Sequence, residues 1–211
     1  MKNNPLNSVF DLLADSDNRV LIMDCEYYGP DSNTNGQRLY QVAGRIFRSN
    51  IRFNHYIYDN KVCEAKRFKF LKQTNLPYKD AIKLTPDVIL KDVKDFIREY
   101  KITHLLFFDD SLDHKQLAAQ SNEIGVNFFA NVNVFDLSDE IATAIGDSGR
   151  KLSLQAVVML LGISHNNSFH NARFDVEAIY KICTFYYDAL NPYNQQLLLD
   201  QADITDLVDD L

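Results

Sequence analysis

Val20-Leu21-Ile22-Met23-Asp24-Cys25-Glu26 is the stretch on which the fold turns. Four consecutive apolar residues without polar alternation describe a strand covered on both faces, as in the middle of a sheet. This one ends in two acids. Strand side chains alternate faces with a period of two, so Asp24 and Glu26 project to one side and Cys25 to the other. Two like charges at the edge of an apolar core repel unless a cation lies between them. On their own they fit the solvated lip of a sheet better, because structural networks also hold such carboxylates.

The rest of the composition bounds what this strand can belong to. With 211 residues and 46% hydrophobic content the chain fills one sizeable core, so a single domain is expected over 1–211, its core about 19–187 and an acidic helical tail at 192–211. No apolar run is long enough to span a membrane. Met1-Lys2-Asn3-Asn4-Pro5 lacks the run of a secretory signal. Cys25, Cys63 and Cys183 are too few and too far apart for a disulfide framework or a zinc site, so the expected setting is cytoplasmic. The net charge is −7, but residues 45–101 hold 14 Lys and Arg against 7 Asp and Glu, a local +7 that leaves −14 for the remainder. A basic middle beside acids is compatible with a phosphate-binding flank next to a carboxylate cluster, and equally with a solvated surface.

Around the central strand the elements follow in order. Asn7 to Leu13 has the pattern of a short amphipathic helix. The turn-rich residues 28–36 form a loop. Leu39 to Phe47 and Ile51 to Tyr58 read as two strands joined by Arg48-Ser49-Asn50, which completes an antiparallel three-strand meander. Lys61 to Leu71 is basic with interleaved Phe68 and Phe70 and stays unassigned. Thr85-Pro86-Asp87 opens a helix, with Thr as N-cap and Pro in the first turn. Thr103 to Phe108 is a fourth strand, followed by a helix capped by Ser111. Val126 to Phe135 is a fifth strand, and Ser138 starts a helix. Gly146 to Gly149 is a loop, Ser153 to Leu161 a helix stopped by Gly162, and Ile163 to Phe169 a loop. Asn171 to Tyr187 is a long helix, broken by Asn191-Pro192 before an amphipathic end through Leu199.

Two further stretches place acids where elements meet: Phe108 to Asp113, and His170-Asn171-Ala172-Arg173-Phe174-Asp175. Positions five apart on a helix diverge by about 140°. His170 therefore belongs on the loop before the helix, with Asp175 fixed on it. Taken together and in order, these motifs resemble those of the DEDDh exonucleases, the superfamily of proofreading exonucleases, RNase T and oligoribonuclease. Asp24-Cys25-Glu26 matches the first motif. His170 and Asp175 match the third, with Ala172 also typical, and Leu152 to Ile163 resembles the penultimate helix. Asp113 with Leu117 fits the second motif better than Asp109 or Asp110 does. The related tyrosine subclass has Tyr where this chain has Asn171. Many members have Thr where this chain has Tyr27.

The resemblance implies an α/β, RNase H-like mixed sheet of five strands, the meander plus two parallel strands, flanked by helices. It also implies 3′–5′ hydrolysis of single-stranded nucleic acid with a free 3′ end to nucleoside 5′-monophosphates, with RNA slightly favoured over DNA. Two divalent cations, Mg²⁺ or Mn²⁺, roughly 3.5–4 Å apart would activate water and hold the leaving oxygen. Hard carboxylate oxygens suit both ions. Asp24, Glu26, Asp113 and Asp175 would hold them, and His170 would serve as general base. Tyr27, Lys66, Arg67 and Lys69 are the expected substrate contacts, with Phe68 or Phe70 available for stacking. A homodimer is compatible with all of this. Two other readings compete. A receiver-like phosphoacceptor domain fails on the antiparallel meander. An RNase H-like module that binds without cleaving is opposed by the presence of all five expected catalytic side chains.

Overall fold

The computed structural model describes residues 5–29, 36–73, 84–127, 129–144, 151–165 and 169–190. For 5–8, 10, 69–73, 110–112 and 190 it describes the backbone alone. The 146–149 loop, the break at Asn191-Pro192 and the acidic tail lie outside the described residues.

The opening stretch forms β1 (Val20–Tyr28), the middle strand of a five-stranded sheet. β2 (Arg38–Ile46) and β3 (Arg52–Tyr56) pair antiparallel in sequence, while β4 (His104–Phe107) and β5 (Asn133–Asp136) add parallel, giving the order β3-β2-β1-β4-β5. This is the expected mixed sheet. The alternation of β1 divides the core in two. Val20 and Ile22 pack with Leu12, Leu13, Val176 and Ile179 beneath α1 (Pro5–Ala14) and α7 (Ala172–Leu190). Leu21, Met23 and Cys25 face Ile89, Val93 and Leu117 of α3 (Pro86–Glu99) and α4 (Asp110–Glu123). Each fully buried aliphatic side chain contributes about 1.5–3 kcal/mol. Asp24 and Glu26 continue the α7 face.

Several local expectations change. The unassigned basic stretch is α2 (Glu64–Gln73). The fifth strand does not begin at Val126. The Val126 N–H donates to the Ser121 carbonyl at 2.8 Å and Gly125 N–H to Asn122 at 3.1 Å, with Gly125 at φ 70°. This Schellman motif ends α4 and buries Val126 as its apolar contact. A β-branched residue after a helix stop imitates a strand start.

Ser111 lies inside the first turn of α4 rather than before it. Ser138 donates to Asp136 Oδ1, which caps α5 (Leu137–Ala144) in its place. Thr85 occupies the N-cap position of α3, but its hydroxyl donates to the Asp87 carboxylate and accepts from no backbone N–H of the first turn. Ser153 caps α6 (Leu154–Leu160) by accepting from Ala156 N–H at 3.2 Å. Gly162, at φ 63°, stops it.

Candidate active site

The carboxyl end of β1 opens into a cleft of about 440 Å³, bordered by Asp24, Glu26, Asp113, Asp175, Phe108 and His170. One carboxylate oxygen each of Asp24, Glu26 and Asp175 lies within 4.8 Å of the other two. Acids this close and this withdrawn from water hold protons tightly. Burial, reinforced by Asp113, Asp175 and Glu26, holds the Asp24 carboxyl well above the usual carboxylate range. Burial and then Asp175 and Asp113 push Glu26 up to about 8. Burial also raises Asp175 to about 6, against the hydrogen bonds that it accepts.

Asp175 is placed by the start of α7. Its Oδ2 accepts from the backbone N–H of His170 at 3.0 Å and of Asn171 at 3.3 Å, so the acid satisfies two donors that the helix start leaves free. Its Oδ1 is buried with no hydrogen-bond partner. His170 is exposed at the mouth of the cleft, at φ 69°. That left-handed conformation is one that non-glycine residues adopt at a cost, and it recurs at functional sites.

Asn171 does not cap with its side chain. Its Oδ1 accepts from Gln41 Nε2 at 3.1 Å, while Gln41 Oε1 accepts from Ala172 N–H at 3.2 Å. Gln41 is fully buried, pairs with Glu26 in the β1–β2 register, and also donates to Asn54 Oδ1 at 2.8 Å. Gln41 was not among the expected site residues. The available signal was a carboxamide inside the apolar run Leu39-Tyr40-Gln41-Val42-Ala43.

Among the three acids after β4, Asp113 is buried in the first turn of α4. Tyr27 Oη donates to its backbone carbonyl at 3.1 Å, which ties β1 to α4. Asp109 also borders the cleft, but it is exposed and Lys151 Nζ lies 3.5 Å from it. That lysine also bonds Asp136 and Asp139 at 2.8 Å. Lys151 thus offsets Asp109.

The residues fit a hard divalent cation. Three clustered carboxylates offer oxygen ligands, and the buried, unpartnered Asp175 Oδ1 is an acceptor that the protein leaves open. Tyr27 lines the cleft; Lys66 and Arg67 do not. Lys66 Nζ donates to the Gly29 carbonyl. Arg67 donates to the Val62 carbonyl and, at 2.9 Å, to that of Asp59, while its guanidinium lies 4.5 Å over the Tyr58 ring. These contacts hold α2 against its neighbours. The Lys69 side chain is outside the described residues, and Phe68 is exposed.

No family model and no curated protein matches the chain. Solved structures do. S. pombe Pop2p in its Mg²⁺- and Mn²⁺-bound form superposes with TM-score 0.59 and 13% identity, over 90% of this chain and 89% of that one. E. coli exonuclease I in complex with a 5cy-dT13 oligonucleotide gives 0.59 and 14% over 90% of this chain and 45% of its own, so the chain spans about half its length. A full-length 3′-exonuclease gives 0.55 and 13% over 80% of each. The chain shares with these structures an RNase H-like fold, a five-stranded mixed sheet flanked by helices.

Proposed function

We propose that this chain is a 3′–5′ exonuclease that hydrolyses single-stranded nucleic acid to nucleoside 5′-monophosphates, RNA being favoured over DNA. Asp24, Glu26, Asp113 and Asp175 would hold two divalent cations, Mg²⁺ or Mn²⁺, and His170 would be the general base. The observation that carries this reading is the Asp24–Glu26–Asp175 cluster, with Asp175 Oδ1 buried and unpartnered and His170 bordering the same cleft. The fold shared with exonucleases supports it.

The cations, when bound, would supply charge neutralisation and an acidified water. The chain's own residues account for the rest. His170, on a loop and reachable from solvent, takes the proton of the attacking water. Water oxygen bonds to phosphorus and the P–O3′ bond breaks. The departing O3′ gains a proton as the new strand end, and the released nucleotide keeps the phosphate on its 5′ oxygen. Phe108, Phe169, Leu154 and Tyr27 line the cleft and offer apolar surface to the terminal base and sugar.

The test is a pair of end-labelled single strands, one RNA and one DNA, incubated with Mn²⁺. Release of 5′-mononucleotides from the 3′ end, faster on RNA and absent on circular strands, is expected. Binding without release in any divalent metal would leave a non-cleaving nucleic-acid module.

A further inference from the structure

On the far side of the first turns of α7 from the acidic cleft lies a second, smaller hollow of about 180 Å³, between α7 and the edge strand β3. Arg45, Arg52, Asn54, Arg173 and Glu177 line it. Their charges do not balance. Arg45 Nη1 bonds Glu177 Oε2 at 2.5 Å and its guanidinium lies 3.5 Å over the Tyr180 ring, so this arginine and this glutamate satisfy each other within the fold. Arg52 reaches the same Glu177 only at 3.2 Å and stays 57% exposed. Arg173 is exposed and has no carboxylate partner among the described residues. Asn54 gives its carboxamide oxygen to Gln41 and keeps its amide nitrogen as a donor. The hollow thus holds three guanidinium groups and one carboxylate, which pairs with two of them, in a protein of net charge −7.

The register fixes where this hollow sits. Asp24 pairs with Ala43, Ala43 with Asn54, and Arg52 is two residues along from Asn54. Arg52 is therefore two strand spacings across and two residues along from Asp24, a Cα separation of roughly 12 Å. Arg173 follows His170 by three residues. Guanidinium forks suit phosphate oxygens bidentately, and spare arginines beside a groove are how proteins track a nucleic-acid backbone.

We infer that this hollow is a second phosphate-binding site, in which Arg52, Arg173 and the Asn54 amide hold a backbone phosphodiester of the single strand upstream of the bond in the acidic cleft. This rests on the exonuclease reading and adds to it a grip on strands longer than a dinucleotide. A dinucleotide has one phosphodiester, which the acidic cleft takes, and so cannot reach the arginines.

The test is the double variant Arg52→Ala, Arg173→Ala of the full chain, with Arg98→Ala as a control on an exposed α3 arginine. Binding of a 5′-fluorescein 12-nucleotide single strand is followed by anisotropy in EDTA across a salt series, and dinucleotide hydrolysis is followed in Mn²⁺. We expect the double variant to bind the 12-mer about tenfold more weakly. Its salt slope should fall by about 0.7, since the site holds one phosphate and each single-strand phosphate contact is worth about 0.7. Dinucleotide hydrolysis should stay within twofold, and Arg98→Ala should match wild type throughout. An unchanged slope in a double variant whose parent binds and cleaves would overturn the arginine site alone. So would an equal loss on 12-mer and dinucleotide, which would mean a disturbed helix start. Failure of wild type itself to bind or cleave overturns the exonuclease reading, and this site with it.

Discussion

Gln41 Nε2 donates to Asn171 Oδ1 across 3.1 Å, joining the middle of β2 to the residue between His170 and the first turn of α7. Through this bond and the one from Ala172 N–H to Gln41 Oε1 at 3.2 Å, the sheet fixes where α7 begins. The position of Asp175, and of the loop that carries His170, follows from it. Replacing Gln41 by Leu keeps the apolar volume but leaves the Asn171 carboxamide and the Ala172 N–H buried without their partner. Each buried group left unsatisfied costs about 1–3 kcal/mol. Gln41→Leu should therefore lose stability by about 2 kcal/mol or more in urea melts. Turnover should fall further than substrate affinity, because the general base is displaced. Unchanged turnover would mean that α7 is held by its apolar face alone.

The acid cluster sets the second expectation. In the metal-free protein Asp24 is held well above its usual range by burial and by its three acidic neighbours. Asp24→Asn removes a charge and little volume, so it should leave the fold intact and the metal-free protein no less stable. Activity should vanish. Saturating Mn²⁺ should raise the wild-type melting temperature and raise that of the variant less. Equal melting temperatures in EDTA and Mn²⁺ for wild type, with no activity in either, would exclude a metal site here.

The pH dependence follows from Glu26, raised to about 8, and Asp175, raised to about 6. Unfolded Glu and Asp titrate near 4.3 and 3.9. Between those values and the raised ones the folded state binds more protons than the unfolded state, so stability falls as pH rises. The metal-free protein should therefore lose stability from about pH 4 to 8, through both acids up to about pH 6 and through Glu26 of the two above it. His55 and His104, whose pKa values burial lowers, act in the opposite sense below about pH 6.5. The clean measure is therefore the difference between wild type and Glu26→Gln, which share these histidines. Glu26→Gln should flatten the decline, and parallel curves for the two proteins would contradict the assignment.

His170 separates backbone strain from chemistry. At φ 69° an L residue crowds its own carbonyl, which costs roughly 1–2 kcal/mol. Glycine relieves this and loses more chain entropy on folding. His170→Gly should hold or gain up to about 1 kcal/mol of stability. If His170 is the general base, turnover should fall by roughly 10²–10⁴-fold in both the Gly and the Ala variants, with metal binding retained. His165→Ala, in the same loop, should keep most activity even though it loses the ring contact with Phe169 at 4.6 Å between centroids. Near-wild-type turnover in His170→Gly would end the general-base proposal.

What the sequence determined by itself was whatever depends on short-range periodicity. The apolar run Val20 to Met23 made β1 a central strand, and a period of two put Asp24 and Glu26 on one face. The helix starts around Thr85 and Ser153 and the stop at Gly162 were legible because capping is a matter of a few adjacent residues. Asp113 stood out over Asp109 only through its spacing to Leu117. What the tertiary structure decided were the relations between distant segments. Gln41 and Asn171 are 130 residues apart, and no local pattern announces that one buried carboxamide will meet the other. Val126 was read as a strand because β-branched residues favour both strands and the apolar contact after a helix stop. Only the path of α4 selects between the two. That Lys66 and Arg67 bond to the carbonyls of Gly29, Val62 and Asp59 was not legible either, because a sequence lists cations without their acceptors. Arg52 of β3 and Arg173 of α7 became a single feature only when antiparallel pairing brought β3 alongside that helix.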